Sequence, residues 1–139
     1  MVHIRIAVAL ACVLSLAAVG CSSSSSSAEG GIGVTEQDFT ITVSPSSVAA
    51  GSVTFNITNN GPSAHEFLVV KSDEDPGSLT VDDEGIVPED SLDVIDEAED
   101  IAPGTTPTLT VDLEAGSYIL MCNIVGHYQQ GMHTGFTVT

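Results

Sequence analysis

The stretch Val53–Thr58, with the sequence VTFNIT, decides the fold class of this chain. Its apolar residues Val53, Phe55 and Ile57 alternate with polar ones, and a period of two is typical of a β-strand with one buried face. The turn sequence NNGP follows at residues 59–62, where asparagine, glycine and proline favour a change of chain direction. A strand followed directly by a tight turn predicts a β-rich domain.

The same combination of a short apolar segment and a turn signal recurs along the chain. Pro45 and Gly51 separate the first two predicted strands, and Glu114–Gly116 is a predicted turn near the C-terminus. Short strands at such intervals predict an all-β fold, a Greek-key β-sandwich. Besides residues 53–58, the predicted strands are residues 39–43, 67–70, 105–113, 118–122 and 136–139.

Residues 72–103, the acidic connection, differ from the rest because they hold 13 of the 19 acidic side chains and show little alternation. We expect them to cross the edge of the sandwich as a long loop. Leu92, Ile95 and Glu99 fit one or two short helical turns within it. The Asp82–Gly85 segment lacks the ligand pattern of an EF-hand, so a solvated loop is favoured over a calcium site.

Composition bounds the class of protein and its partners. The 139 residues are enough for one domain with a single core. Two basic and 19 acidic side chains give a net charge of -17, which argues against nucleic acid or an anionic lipid surface as a partner. A hydrophobic content of 42% is too high for a wholly disordered acidic chain.

The first 20 residues predict a secretory signal peptide. Arg5 precedes an apolar run from Ile6 to Leu14, and small residues lead up to Cys21, as is typical of export signals. The run is short for a stable membrane span. A small residue followed by cysteine resembles the bacterial lipobox, which implies that Cys21 is acylated and becomes the new N-terminus. An ordinary cleavage site and an uncleaved anchor are the alternatives.

A tether is predicted after the signal peptide, because a run of six serines and the glycines that follow it have little to bury. The protein is therefore expected to be extracytoplasmic and lipid-anchored to the cell membrane. The predicted division of the chain is a signal peptide at residues 1–20, a lipidated tether at 21–35 and a folded domain at 36–139.

The three cysteines are an odd number, which argues against a disulfide scaffold. Processing would give each of them a separate role. Cys12 leaves with the signal peptide, Cys21 carries lipid, and Cys122 is the thiol of the exported domain. Loss of Arg5 leaves Lys71 against 19 acids, a net charge of -18.

The chemistry is concentrated near the C-terminus, where Cys122, His127 and Met132 stand in the order C-x4-H-x4-M. A thiolate at the end of one strand, an imidazole in the loop and a thioether near the next strand can converge on one point. His65, at the start of a distant predicted strand, is available as a fourth ligand. Two imidazoles, a thiolate and a weak thioether form the site expected for one blue copper ion in an electron carrier.

Neighbouring residues offer alternatives to this ligand set. Gln129 or Gln130 could replace Met132 as the axial ligand, whereas His133 is expected to be a solvated neighbour. Strand alternation points Met121 to the face opposite Cys122, where it would pack in the core. Tyr118 is also expected to be a core residue.

In its predicted ligands and the loop that holds them, the sequence resembles the cupredoxins, the small blue copper proteins. The resemblance covers residues 36–139, and the ligand loop of this chain is similar to those of rusticyanin and auracyanin. It implies a β-sandwich with copper near one end, bound by His65, Cys122 and His127 with Met132 as axial ligand. The motifs that carry it, besides His65, are Gly116-x-Tyr118-x3-Cys122, Gly126-His127, Gly131-Met132 and Phe136-x-Val138; Val125 and Glu66 depart from the family, which often has proline at the first position and asparagine or serine at the second.

Electron transfer with redox protein partners is the expected function, and storage or delivery of copper is the alternative from another class. A cupredoxin fold that serves as an interaction module without copper is disfavoured, because every ligand is present. The acidic connection could steer a cationic partner such as a cytochrome, or its acidity could serve solubility or reflect a salty habitat.

An enzyme is not expected. After removal of His3, three histidines remain, fewer than multicopper oxidases or copper-zinc superoxide dismutases require. The sequence has no Ser-His-Asp spacing, phosphate-binding loop or basic patch.

Overall fold

The computed structural model describes residues 30–139, which form two β-sheets. The strands are β1 (Ile32–Gln37), β2 (Thr40–Ser44), β3 (Ser47–Val48), β4 (Gly51–Asn59), β5 (His65–Lys71), β6 (Val94–Ile101), β7 (Thr108–Leu113), β8 (Gly116–Met121) and β9 (His133–Val138). One sheet has the strand order β2-β1-β4-β7 and the other β3-β9-β8-β5-β6. Pairing is antiparallel except between β1 and β4 and between β3 and β9. The predicted all-β sandwich is confirmed.

The main core lies between the two sheets and follows from the alternation seen in the sequence. Val53, Phe55 and Ile57 of β4 are buried there, and Phe55 packs against the rings of Phe67 and Phe136 at centroid distances of 5.3 and 5.5 Å. Burial of each such side chain contributes roughly 1.5–3 kcal/mol to folding.

A second apolar cluster covers the outer face of the β5–β8 pair. Residues 72–93, the covering segment, place Val87 over this face, where it packs with Met121 and Tyr128. Strands β5 and β8 are therefore buried on both faces, which explains their unbroken apolar sequences. Met121 lies on the face opposite Cys122, as strand alternation predicts.

The expectation of a structureless or helical acidic connection is wrong for its C-terminal part. Ile95 and Glu99 lie in strand β6, which pairs with the edge of β5, and Leu92 only ends the short 3-10 turn Glu89–Ser91. The β5–β6 register has two irregularities and half of the residues of β6 are exposed, so this strand shows no regular apolar alternation. Charged side chains on an edge strand discourage pairing with other chains. They also interrupt the apolar pattern, and for this reason the sequence did not predict β6.

Strand β1 precedes the first predicted strand, residues 39–43, which corresponds to β2. Ile32 and Val34 of β1 are buried in the core, and β1 pairs with both β2 and β4, so regular structure starts before the predicted boundary at residue 36. The signal peptide and Cys21 lie outside the described residues. Within residues 30–139 no helix is long and apolar enough to cross a membrane.

Candidate metal centre

The four predicted ligands lie at one end of the sandwich, three of them at or next to strand ends and the fourth in a loop. His65 is the first residue of β5, Cys122 follows the last residue of β8, and Met132 immediately precedes β9. His127 lies in the loop between β8 and β9. The antiparallel β5–β8–β9 arrangement brings the start of β5, the end of β8 and the start of β9 to the same edge.

Backbone hydrogen bonds shape this ligand loop. The Cys122 N–H donates to the Met132 carbonyl at 3.0 Å and the Met132 N–H donates to the His127 carbonyl at 3.2 Å. The His127 N–H donates to the Ile124 carbonyl at 2.8 Å, closing a tight turn around Gly126, whose φ of 76° favours glycine. The loop therefore holds its ligands through its own backbone.

Three donor atoms converge in a triangle. Nδ1 of His127 lies 3.3 Å from Nδ1 of His65 and 3.5 Å from Sγ of Cys122, and all three atoms lie within 4.8 Å of one another. Donor atoms this close together could all bind a single metal ion, and two imidazoles with one thiolate are a ligand set that suits copper. His65, Cys122 and His127 are therefore the residues that would hold the metal.

The Cys122 thiol is buried among apolar side chains, with two carboxyl groups nearby. Burial is the main cause that raises its pKa to about 11, and the nearby carboxylates of Glu36 and Glu66 add to the increase. The Glu66 N–H points to Cys122 Sγ at 3.4 Å and opposes this effect. A bound metal ion would replace the thiol proton, because the thiolate is the ligand form.

Both ligand imidazoles favour the neutral form that binds metals. Burial lowers the pKa of His65 and of His127, against the opposing charge of Asp38. The ring of Phe39 packs edge-on against His127 at a centroid distance of 5.1 Å. The His127 ring is thus held between Phe39 on one side and the ring of His65, at 5.2 Å, on another.

Met132 is fully buried in the same core cluster as Cys122, and its axial role stays a prediction. Gln129 and Gln130, the alternative axial ligands, are both exposed. His133 stands apart from the donor triangle and packs on Tyr128 at a centroid distance of 4.9 Å. Tyr118 is a core residue, as expected.

Sequence reasoning missed the polar residues around the ligands. Asp38 contacts His65, Glu36 is fully buried without a hydrogen-bond partner, and Asn123 binds the covering segment. Burial raises the pKa of Glu36 to about 8, with a smaller contribution from the charge of Glu66. A signal existed for Glu36, since it continues the alternation of Ile32 and Val34 and so faces inward. Asp38 and Asn123 carry no such signal.

Comparisons with known proteins agree with this geometry. Residues 8–134 match the family of the cupredoxin-like domain. No match was found among curated protein sequences. The similar solved structures include dithionite-reduced auracyanin from Roseiflexus castenholzii, which is 23% identical, has a TM-score of 0.60 and covers 77% of this chain and 94% of its own.

Two further structures share the fold. Auracyanin A, described as a "blue" copper protein from Chloroflexus aurantiacus, is 21% identical with a TM-score of 0.53, over 77% of this chain and 99% of its own. Rusticyanin from Thiobacillus ferrooxidans is 16% identical with a TM-score of 0.52, over 77% and 76%. Copper is the metal that this family holds, and the His65–Cys122–His127 cluster supplies a matching donor set. The chain belongs to the cupredoxin-like family.

Proposed function

We propose that this protein carries single electrons between redox partners through one copper ion held by His65, Cys122, His127 and an axial Met132. The observation that carries the proposal is the buried donor triangle of two imidazoles and one thiolate. Copper bound there would supply one-electron Cu(I)/Cu(II) chemistry with the mixed ligand set that suits both oxidation states.

The protein's own contribution is a rigid and dry ligand set. His65, Cys122 and Met132 are fully buried, and the loop is closed by backbone hydrogen bonds. Donors that are already in position need little rearrangement when the metal changes charge, and a nonpolar surround limits solvent reorganisation. Burial also opposes the ligand exchange on which copper delivery depends, so electron transfer is favoured over delivery.

His127 offers the route for electrons. It is the least buried of the four ligands, with 9% of its surface exposed, and nearby Val125 is 59% exposed. An apolar contact surface beside the exposed edge of His127 would let a partner approach closely and leave quickly. We therefore place the docking surface around Val125 and His127.

Acidic side chains surround this end of the domain. Glu89 accepts a hydrogen bond from Asn123, directly after Cys122. Burial raises the pKa of Glu66, and the charges of Glu89, Glu97 and others raise it further, which indicates that these carboxylates lie close together. Such a field favours encounter with a cationic redox protein, and we propose a cytochrome-like partner with a basic docking face.

Attachment to the membrane completes the proposal. Export through the signal peptide at residues 1–20 and acylation of Cys21 would anchor the protein on the outer face of the cell membrane. The serine-rich tether would leave the copper domain free to reach membrane-bound partners. Mass measurement of Cys21 in protein purified from membranes tests this part separately.

The decisive experiment combines a visible spectrum of the Cu(II)-loaded protein with voltammetry. An intense thiolate-to-copper absorption and a reversible one-electron wave are expected, and Cys122→Ser removes the colour. A colourless copper complex, or loss of the metal on reduction, contradicts electron transfer and favours storage or delivery.

A further inference from the structure

His65 makes a second contact that the ligand set does not use. Its Nδ1 belongs to the donor triangle, whereas its Nε2 lies 3.0 Å from Oδ1 of Asp38. Neither atom makes a hydrogen bond of ordinary geometry to any group in residues 30–139, and His65 is fully buried. A carboxylate thus occupies the far side of a ligand imidazole, at a distance that leaves no room for water between them.

Asp38 is itself held in place by the loop that precedes β5. The Ser63 hydroxyl donates to Oδ2 of Asp38 at 2.6 Å, which leaves Oδ1 to His65. The amide of Asn59, a fully buried side chain, fixes this loop: its Nδ2 donates to the carbonyls of Ser63 and Ile101 at 2.8 Å each, and its Oδ1 accepts from the Gly61 N–H at 2.9 Å.

Gly61 provides the space for the contact. A Cβ atom at this position would clash with Oδ1 of Asp38 and lie 3.0 Å from Nε2 of His65. With any other residue here, the Asp38 carboxylate would have to shift from its position beside the imidazole. The arrangement of Asn59, Gly61 and Ser63 around Asp38 is a built feature of the site.

We propose that Asp38 is a positioning residue for the copper ligand His65. Its carboxylate keeps the proton on Nε2 and so leaves Nδ1 free to bind the metal. Its negative charge also stabilises Cu(II), with its extra positive charge, more than Cu(I), and this lowers the reduction potential. The inference rests on metal binding at the proposed site but does not require electron transfer.

The test compares Asp38→Asn with Asp112→Asn, an equal change of charge at an exposed position of β7. Asp112 pairs with Ser52, at the end of β4 remote from Asn59. Asp38→Asn is expected to weaken Cu(II) binding about 10–100-fold, to weaken Cu(I) binding less, and to raise the reduction potential. Each tenfold difference between the two losses corresponds to about 59 mV for one electron.

Asp112→Asn is expected to leave both affinities and the potential unchanged. The proposal is overturned if Asp38→Asn behaves like this control. If the wild-type protein binds no copper, the proposed function fails, and the inference is then decided on the metal-free protein.

Nitrogen-15 NMR of the imidazole in metal-free wild-type protein provides this second measurement and needs no variant. The inference predicts that His65 carries its proton on Nε2 before any metal is added. A proton on Nδ1 overturns the inference, even if Asp38→Asn does not fold.

Discussion

The side chain of Asn123 bridges to the backbone of Val87 through two hydrogen bonds, one as donor and one as acceptor. Its Nδ2 donates to the Val87 carbonyl and its Oδ1 accepts from the Val87 N–H, both at 2.9 Å. Because Asn123 follows Cys122 directly, this bridge ties the covering segment to the start of the ligand loop. Val87 is itself buried, so both of its backbone groups depend on this one amide.

Asn123→Ala is therefore expected to lower the free energy of unfolding by about 2–3 kcal/mol, since it leaves two buried backbone groups without partners. Chemical denaturation of the metal-free protein measures the change. Asn56→Ala is the matched control, because Asn56 donates to the Gly30 carbonyl in an exposed hydrogen bond, and its loss should cost less than about 1 kcal/mol. Equal losses in the two variants would contradict the structural role of the bridge.

Metal binding should release about one proton per ion near neutral pH. The proton comes from Cys122, because burial raises the pKa of this thiol to about 11, while His65 and His127 have lowered pKa values and are already neutral. Calorimetric titration with Zn(II), which has no redox chemistry, in buffers of different ionisation enthalpy measures the release. Cys122→Ser serves as the control, and wild-type protein that releases no proton would refute the prediction.

Glu36→Gln should stabilise the metal-free protein at neutral and alkaline pH. Burial raises the pKa of Glu36 from 4.5 to about 8, so the folded state prefers the protonated form. The protonated carboxyl makes its full contribution to the free energy of unfolding below pH 4.5, and this contribution is lost as the pH rises through about 8.

Unfolding free energies at several pH values check this sign. The difference between Glu36→Gln and wild type should grow in favour of the variant over this range, whereas the pKa shifts of His65 and His127 cancel in the difference. Glu84→Gln, at an exposed position, is the control. A difference that does not change with pH would rule out a buried, titrating Glu36.

Val125→Asn tests the docking surface. Replacing an exposed apolar side chain with an amide should weaken the contact with a partner by on the order of 1 kcal/mol, about a fivefold slower electron exchange. The reduction potential should not change, because Val125 is not a ligand. Ile95→Asn makes the same kind of change at another exposed apolar residue, 37% exposed on β6, and should leave the rate unaltered.

Steering by the acidic surface predicts a dependence on salt. Electron transfer with a cationic cytochrome should slow as ionic strength rises, because screening shortens the reach of the carboxylates to about 8 Å at physiological salt. Stopped-flow rates across a range of salt concentrations measure this effect. A flat profile would assign the acidic connection to solubility instead.

Sequence alone was sufficient for features that depend on local spacing. The alternation of Val53, Phe55 and Ile57 predicts a half-buried strand wherever the partner strand lies, because side chains in a strand point to alternate faces. The C-x4-H-x4-M order predicts a shared metal site, because Cys122, His127 and Met132 are close along the chain. His65 could be added because the expected site needs a second imidazole.

Tertiary structure decided whatever depends on pairing between distant segments. Strand β6 is formed by pairing with β5 rather than by an apolar pattern of its own. Asp38 lies 27 residues before His65 in the sequence, and only the packing of the β1–β2 turn against the start of β5 brings its carboxylate to the imidazole. The ligand types could be read from the chain, whereas the groups that orient those ligands are selected by the fold, because a polar contact leaves no periodic signal in sequence.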